Sequence, residues 1–337
     1  LWGGPRRSYA SIKFFIYTLV GSLLILIVMI ALYLSVGALD PISETMIHSF
    51  NLLHMMDSNH FIEGSSLAKD SLLTFMGMPL RAVAFLALFL GFAIKLPIVP
   101  FHTWLPDAHV EAATPISVIL AALLLKLGGY GLYRIAFSIF PDAALHFGYY
   151  IAICGVLAII YGGLNAMAQN DLKRMIAYSS ISHMGFVLIG LGSFTVEGAA
   201  GGLFQMIAHG FISAALFLIV GVLYDRTHDR KIENFSGLAT KLPGYSFVVM
   251  IVFFASLGLP GLAGFVGELL VLMGAFNVSV VDGVLPNWIG IIAVVGLLIT
   301  AAYYLWTIQR MFLGKYWVRE HSWEPKMKDL EIREWLI

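Results

Sequence analysis

The chain has 337 residues, of which 59% are hydrophobic and only 12% charged, against about 25% charged in a soluble domain. Twenty basic residues balance twenty acidic ones, so no net basic field draws nucleic acid and none is expected as a partner. A single cysteine, Cys154, excludes a disulfide framework and a Cys-ligated zinc or iron–sulfur site. The composition is that of an all-α polytopic membrane protein.

About eight windows are long and apolar enough to span a bilayer, at residues 12–37, 80–101, 115–138, 147–168, 172–192, 199–223, 245–276 and 287–312. The first is too long for a cleavable signal peptide and has no small-residue cleavage site after it. With the N-terminal segment inside, Arg6, Arg7, Lys13, Lys173, Arg174, Arg226, Arg230, Lys231, Lys241 and the cations beyond residue 309 all fall on the inner side. The outer loops hold only Lys69, Arg81 and Arg134, with acids that include Asp40, Glu44, Asp142 and Asp282. The opening Leu1-Trp2-Gly3-Gly4-Pro5-Arg6-Arg7 reads as a loop leaving an earlier helix, so the chain is taken as an internal piece of a longer protein.

Three charges remain inside apolar windows: Lys95, Lys126 and Glu268. A charge at the bilayer centre costs about 2.5–3.5 kcal/mol on insertion scales, so such groups face protein or water and mark function or a buried ion pair. Lys95 stands near a helix end, where snorkelling to the headgroups is an equal alternative. Two polar stripes join the set: Ser179 and His183 on the fifth window, then Gln205, His209 and Ser213 on the sixth, each on one helical face. No local ligand pair accompanies the histidines, so no metal is expected. Burial disfavours any charged form, which brings lysine and glutamate toward neutrality from opposite sides. Lys126, His183, His209 and Glu268 on four spans therefore read as a proton relay in the membrane plane. His228 and His321 read as surface residues.

Two spans look broken. The second carries Pro97 and Pro100 just after Lys95, and the seventh carries Gly258, Pro260, Gly261 and Gly264 before Glu268. Paired interruptions beside buried charges point to a transporter built from repeats. Residues 101–111 read as a solvated inner loop with Trp104 as interfacial anchor. The Gly128-Gly129-Tyr130-Gly131 run reads as a close-packing site within a span.

Two long motifs carry a resemblance. Lys95-Leu96-Pro97-Ile98-Val99-Pro100-Phe101-His102-Thr103-Trp104-Leu105-Pro106-Asp107-Ala108-His109-Val110-Glu111-Ala112 and Asn170-Asp171-Leu172-Lys173-Arg174-Met175-Ile176-Ala177-Tyr178-Ser179-Ser180-Ile181-Ser182-His183-Met184-Gly185 resemble the antiporter-like subunits of respiratory complex I and the Mrp antiporters. Within that family the chain looks like the M-type branch, given Trp2-Gly3-Gly4-Pro5-Arg6-Arg7 and an acid at Glu268 where the L and N branches and Mrp relatives carry lysine.

The resemblance implies a fourteen-helix fold with two inverted repeats. Residues 1–138 would end the first repeat, 139–313 form the second, and 314–337 make a cytoplasmic loop and the start of the next helix. It implies that Lys95, Lys126, His183, His209 and Glu268 move protons, with Lys95 paired to a glutamate upstream of Leu1. It further implies L- and N-type partner subunits and a bacterial inner membrane. No cofactor is expected in this chain; flavin, iron–sulfur clusters and quinone would belong to partner subunits. A Na+/H+ antiporter of Mrp type or a membrane-bound hydrogenase subunit is the alternative, and a passive scaffold with paired charges is the third reading.

Overall fold

The computed structural model describes residues 3–39, 46–277 and 285–336. Trp2 and the outer-loop acids Asp40, Glu44 and Asp282 lie outside them. Each of the eight apolar windows falls on helix. Among the described residues six helices are long and apolar enough to cross a membrane: α1 (Arg7–Ser35), α4 (Thr114–Ile139), α5 (Pro141–Met167), α6 (Leu172–Gly192), α7 (Val196–Thr227) and α10 (Trp288–Met311). The other two windows are interrupted. The second, 80–101, is α2 (Leu80–Lys95) running into a break, with α3 (Trp104–Glu111) beyond the window. The seventh is α8 (Pro243–Ser256), a break, then α9 (Ala263–Asn277).

Local signals set the ends. Asp171 caps α6 by accepting from the Arg174 amide at 3.0 Å, and Thr195 caps α7 by accepting from the Gly198 amide at 3.1 Å. Pro141 opens α5 at its first turn, where no amide proton is needed. α6 is buried on nearly every side, its polar residues Ser179, Ser180, Ser182 and His183 included. It meets α5 along a seam of glycines. A Cβ on Gly155 would come 2.7 Å from Gly185 O, and one on Gly192 would come 2.7 Å from Gly148 O. α7 meets α9 in the same way, since a Cβ on Gly274 would lie 2.5 Å from Gly198 Cα. A Cβ on Gly190 of α6 would likewise strike Gly198 O, so α6, α7 and α9 close together at Gly198.

The first break spans residues 96–103 and contains Pro97 and Pro100, as expected. It is tied down by Trp104, whose indole N–H donates to Ile94 O at 2.9 Å, in the last turn of α2. Residues 101–111 are thus no solvated loop. Trp104 is fully buried rather than an interfacial anchor, and His102 and His109 are buried too. Their aromatic surface packs inward against Phe14 and Phe217. The second break spans residues 257–262 and contains Gly258, Pro260 and Gly261. Gly264 lies inside α9 instead, where any side chain would strike Ala255 O. The glycine run in α4 packs as expected: Gly128 leaves room for Leu96 N and Phe92 O at the end of α2.

At the end expected to face inward, Phe235–Ser236 pairs antiparallel with Trp317–Val318. The following tail lies across the helix ends. Asp329 accepts from the Gly244 and Tyr245 amides, both at 2.8 Å, and so caps α8 from a distant part of the chain. Burial pushes the Asp329 carboxyl up, but hydrogen bonds from Tyr245, Gly244 and Leu330 outweigh it and hold it below the usual carboxylate range. Glu334 pairs with Arg226 at 2.7 Å. At the opposite end Arg81, read as an outer-loop cation, is buried. It holds Asp142 through Nε at 2.9 Å and donates to the carbonyls of Leu67 and Ile139 at 2.9 and 3.0 Å. Its guanidinium lies over Phe61 and Phe140.

Candidate functional site

The site is a line of polar side chains crossing four helices. It begins at Lys126 on α4. Two stretches of this helix, Leu120–Leu124 and Leu132–Ala136, are wound as π-helix. Such bulges redirect backbone carbonyls, often at functional sites. Here the Lys126 ammonium donates to Ala121 O at 2.6 Å, inside the first bulge. The same nitrogen lies 2.7 Å from Nδ1 of His209 on α7. Gly210 leaves space beside it: a Cβ there would stand 3.6 Å from Lys126 Cε.

His209 faces His183 of α6, with ring centroids 5.5 Å apart and planes at 53°. His183 Nδ1 is 3.4 Å from Glu268 Oε1 on α9 and 3.5 Å from the Gln205 amide nitrogen. His183, His209, Gln205 and Glu268 are each 3% exposed or less. Gly267 makes this possible, because any side chain there would strike the Gln205 amide oxygen. Gly258 in the second break adopts φ +78°, and a Cβ there would collide with Glu268 Oε2. The break thus brings backbone directly against the glutamate.

Four of the five expected relay residues are therefore joined: Lys126, His209, His183 and Glu268. Lys95 is not. It is half-buried at the end of α2, and it makes no hydrogen bond or ion pair among the described residues. Ser213 is also set aside, its hydroxyl turned back to Gly210 O at 3.3 Å. Among the described residues no group of three or more His, Cys, Asp or Glu could hold a metal ion.

Several polar residues of this region are missed by sequence reasoning. His109 is completely buried, stacks on Phe217 at 4.4 Å, and has neither ring nitrogen partnered among the described residues. Lys173, read as a loop cation, is buried and donates to Ala112 O at 2.6 Å. Arg230 donates to Val110 O at 2.8 Å. Both cations thus meet the carbonyl end of α3, where the helix dipole favours positive charge. Ser256 and Tyr304 also touch the line: Ser256 Oγ is 3.3 Å from His183 Nε2 and donates to the Tyr304 hydroxyl at 2.7 Å. None of these has a signal in sequence beyond a polar residue at a helix end or among aromatics.

The chain is similar to known membrane subunits along nearly its whole length. The sequence profile described as NADH:quinone oxidoreductase/Mrp antiporter, TM matches residues 1–300. NADH-quinone oxidoreductase subunit M of Rhodobacter capsulatus is 43% identical over 94% of the chain and 57% of the relative. NAD(P)H-quinone oxidoreductase chain 4 2 of Thermosynechococcus vestitus is 41% identical over 94% of the chain and 54% of the relative. The chain spans little more than half the length of these curated relatives. Among solved structures, a chain of respiratory complex I from Thermus thermophilus with bound NADH matches 99% of this chain and 63% of its own length, with TM-score 0.79 and 32% identity. A chain of the Mrp complex from Dietzia sp. DQ12-45-1b matches in fold, covering 92% of this chain and 52% of its own length at TM-score 0.74 and 23% identity. The chain belongs to the NADH:quinone oxidoreductase/Mrp antiporter transmembrane family.

Proposed function

We propose that this chain works in an M-type, proton-translocating membrane subunit of NADH:quinone oxidoreductase, coupled to quinone reduction in other subunits. The observation that carries the proposal is the part-buried contact of Lys126 with His209, continued by the buried His183 to the buried Glu268. Each of these groups binds and releases protons, and each is held beside the next. The identity to proteins named as subunit M supports the M type. So does the acid at 268.

In this reading Lys126 carries charge between the first break, beside Lys95, and the second break, beside Glu268. The broken helices supply free carbonyls and end dipoles at both sites. The eight windows are eight crossings, each broken window counting as one. Residues 1–138 end one inverted repeat, 139–313 form the other, and 314–337 form the inner loop and next helix start. Lys95 finds its partner carboxylate outside the described residues. L- and N-type subunits flank the protein in a bacterial inner membrane, and flavin, iron–sulfur clusters and quinone reside in partners. Moving one charge across the membrane costs about 2.3 kcal/mol per 100 mV.

The test is a mild-detergent purification of the full-length protein from its native membrane. Co-purifying flavin, iron–sulfur absorbance and NADH:quinone reductase activity are expected. Purification without redox partners, together with sodium-dependent proton exchange in vesicles, would overturn the proposal in favour of an Mrp-type antiporter.

A further inference from the structure

The His183 ring touches the relay on one edge and a chain of hydroxyls on the other. On the hydroxyl edge, Ser256 Oγ donates to the Tyr304 hydroxyl at 2.7 Å. Tyr304 donates to Ser179 Oγ at 3.1 Å, and Ser179 donates to Ile176 O at 2.8 Å. All three side chains are buried. A hydroxyl owns one proton, and a carbonyl owns none. The Ile176 carbonyl therefore fixes the direction of the whole chain, and each hydroxyl proton is committed to the next oxygen. Ser256 Oγ stands 3.3 Å from His183 Nε2 with only lone pairs left to offer. The proton between them must sit on Nε2.

The other edge accommodates the same placement. The Gln205 amide nitrogen, a donor only, faces His183 Nδ1 at 3.5 Å. A neutral imidazole carries one proton. With Nε2 protonated, Nδ1 is bare, and it lies 3.4 Å from Glu268 Oε1.

We infer that Ser256, Tyr304 and Ser179 are positioning residues that hold His183 in the Nε2–H tautomer and so aim its bare Nδ1 at Glu268. The inference rests on the relay reading above and gives the His183–Glu268 pair a defined step. The O–H bond of a protonated Glu268 breaks and an N–H bond forms at Nδ1. The products are a carboxylate and an imidazolium, with charge conserved and no third group consumed. Because the Nε2 proton stays committed to Ser256, His183 returns its proton through the nitrogen that received it. The residue then acts as a reversible store on the Glu268 side, and continuing the relay toward His209 requires the ring or a water to carry the proton from the same edge. Such orienting partners behind a proton-handling imidazole set which nitrogen reacts.

The groups facing His183 are few. His209 on α7 stands 5.5 Å away between ring centroids, and Glu268 on α9 and Tyr304 on α10 complete the titratable set. The Tyr303 ring lies tilted against Tyr304 at 4.6 Å, and Lys126 on α4 reaches His183 only through His209. Apart from His183, α6 contributes Ser179 here, which is uncharged.

The test uses the full-length protein in its native complex with 15N-labelled histidine, the His183 signal being assigned by difference against His183→Gln. In the resting protein a single neutral tautomer with Nε2 protonated is expected. Tyr304→Phe frees the Ser256 proton to turn toward Nε2, and the tautomer ratio should fall about fivefold, the order produced by losing one net hydrogen bond. Ser256→Ala should do the same, and Ser256→Thr, which keeps the hydroxyl, should restore the parent signal. A wild-type His183 protonated at Nδ1, or a ratio unmoved in Tyr304→Phe, overturns the inference. This readout needs no turnover, so it stands apart from the relay reading. Pumping measured against pH in assembled Tyr304→Phe reports on that reading: a displaced optimum supports it, and a shifted tautomer with an unchanged profile refutes the coupling of His183 to transport.

Discussion

Lys126 Nζ and His209 Nδ1 lie 2.7 Å apart, although 83 positions separate them in the chain. The contact joins α4 to α7 from the α-helical stretch between the two π-bulges of α4, and the lysine completes its contacts on the Ala121 carbonyl inside the first bulge. His209→Leu keeps side-chain volume and removes both nitrogens. Proton pumping by the assembled complex should drop at least about tenfold, since a positioned proton-transfer group contributes roughly 10²–10⁴-fold. Fluorescence quenching in inverted vesicles, normalised to subunit content, measures it.

The second break offers a paired comparison. Gly258 and Gly261 adopt φ of +78° and +97°, so alanine at either position strains the backbone by about 1–2 kcal/mol. At Gly261 the added methyl meets open space, whereas at Gly258 it strikes Glu268 Oε2. Both variants should lose some thermal stability. Only Gly258→Ala should also lose most pumping, because it displaces the carboxylate. Equal pumping in the two variants would show that the approach to Glu268 is incidental.

Arg81 stands far from the relay in role. Removing it orphans the carbonyls of Leu67 and Ile139 and releases Asp142. Arg81→Ala should cost about 2–3 kcal/mol, as expected for buried hydrogen bonds to a charged group. Its thermal midpoint should fall while turnover per assembled complex stays near the parent value. Loss of turnover without loss of stability would contradict a purely structural clamp.

The inner tail is held by a carboxylate cap, and its pH dependence has a definite sign. The Asp329 carboxyl is held below its ordinary value of 3.8: burial raises it, and three backbone amides more than compensate. A lowered folded pKa contributes stability that is complete above the unfolded value and is lost as pH falls through the folded one. The tail should therefore stay latched from pH 8 down to about 5 and loosen only below the ordinary aspartate range near 3.9. Limited proteolysis at Lys326 and Lys328 should proceed at the same rate per active protease at pH 5.5 and 7.5 in the parent. Asp329→Ala should raise that rate several-fold at both.

Much of this was legible because the bilayer makes sequence speak plainly. Lys126 and Glu268 stood out as charges in apolar windows, and His183 and His209 as polar residues at helical spacing; the structure joins all four. Proline and glycine beside the charges marked both breaks. Three things were hidden. The stretch 101–111 reads as polar and loop-like, yet Trp104 ties it to Ile94 O and buries it as helix. A histidine with both nitrogens unpartnered among the described residues, His109, differs from a surface histidine only by its surroundings. The π-bulges of α4 have no local signal in the sequence. Lys173 and Arg81 were counted among loop cations for the same reason: a cation at a helix end reads alike whether it meets water or buried carbonyls.

The central claim is that protons pass through Lys126. The direct measurement is protons moved per NADH oxidised by the complex assembled with full-length Lys126→Ala, beside the parent and Lys126→Arg. A loss of about a hundredfold is expected in Lys126→Ala, within the range of a positioned proton-transfer group, with flavin and iron–sulfur content unchanged. Lys126→Arg should fail as well, since a guanidinium does not release its proton. Full pumping by a completely assembled Lys126→Ala complex would contradict the account.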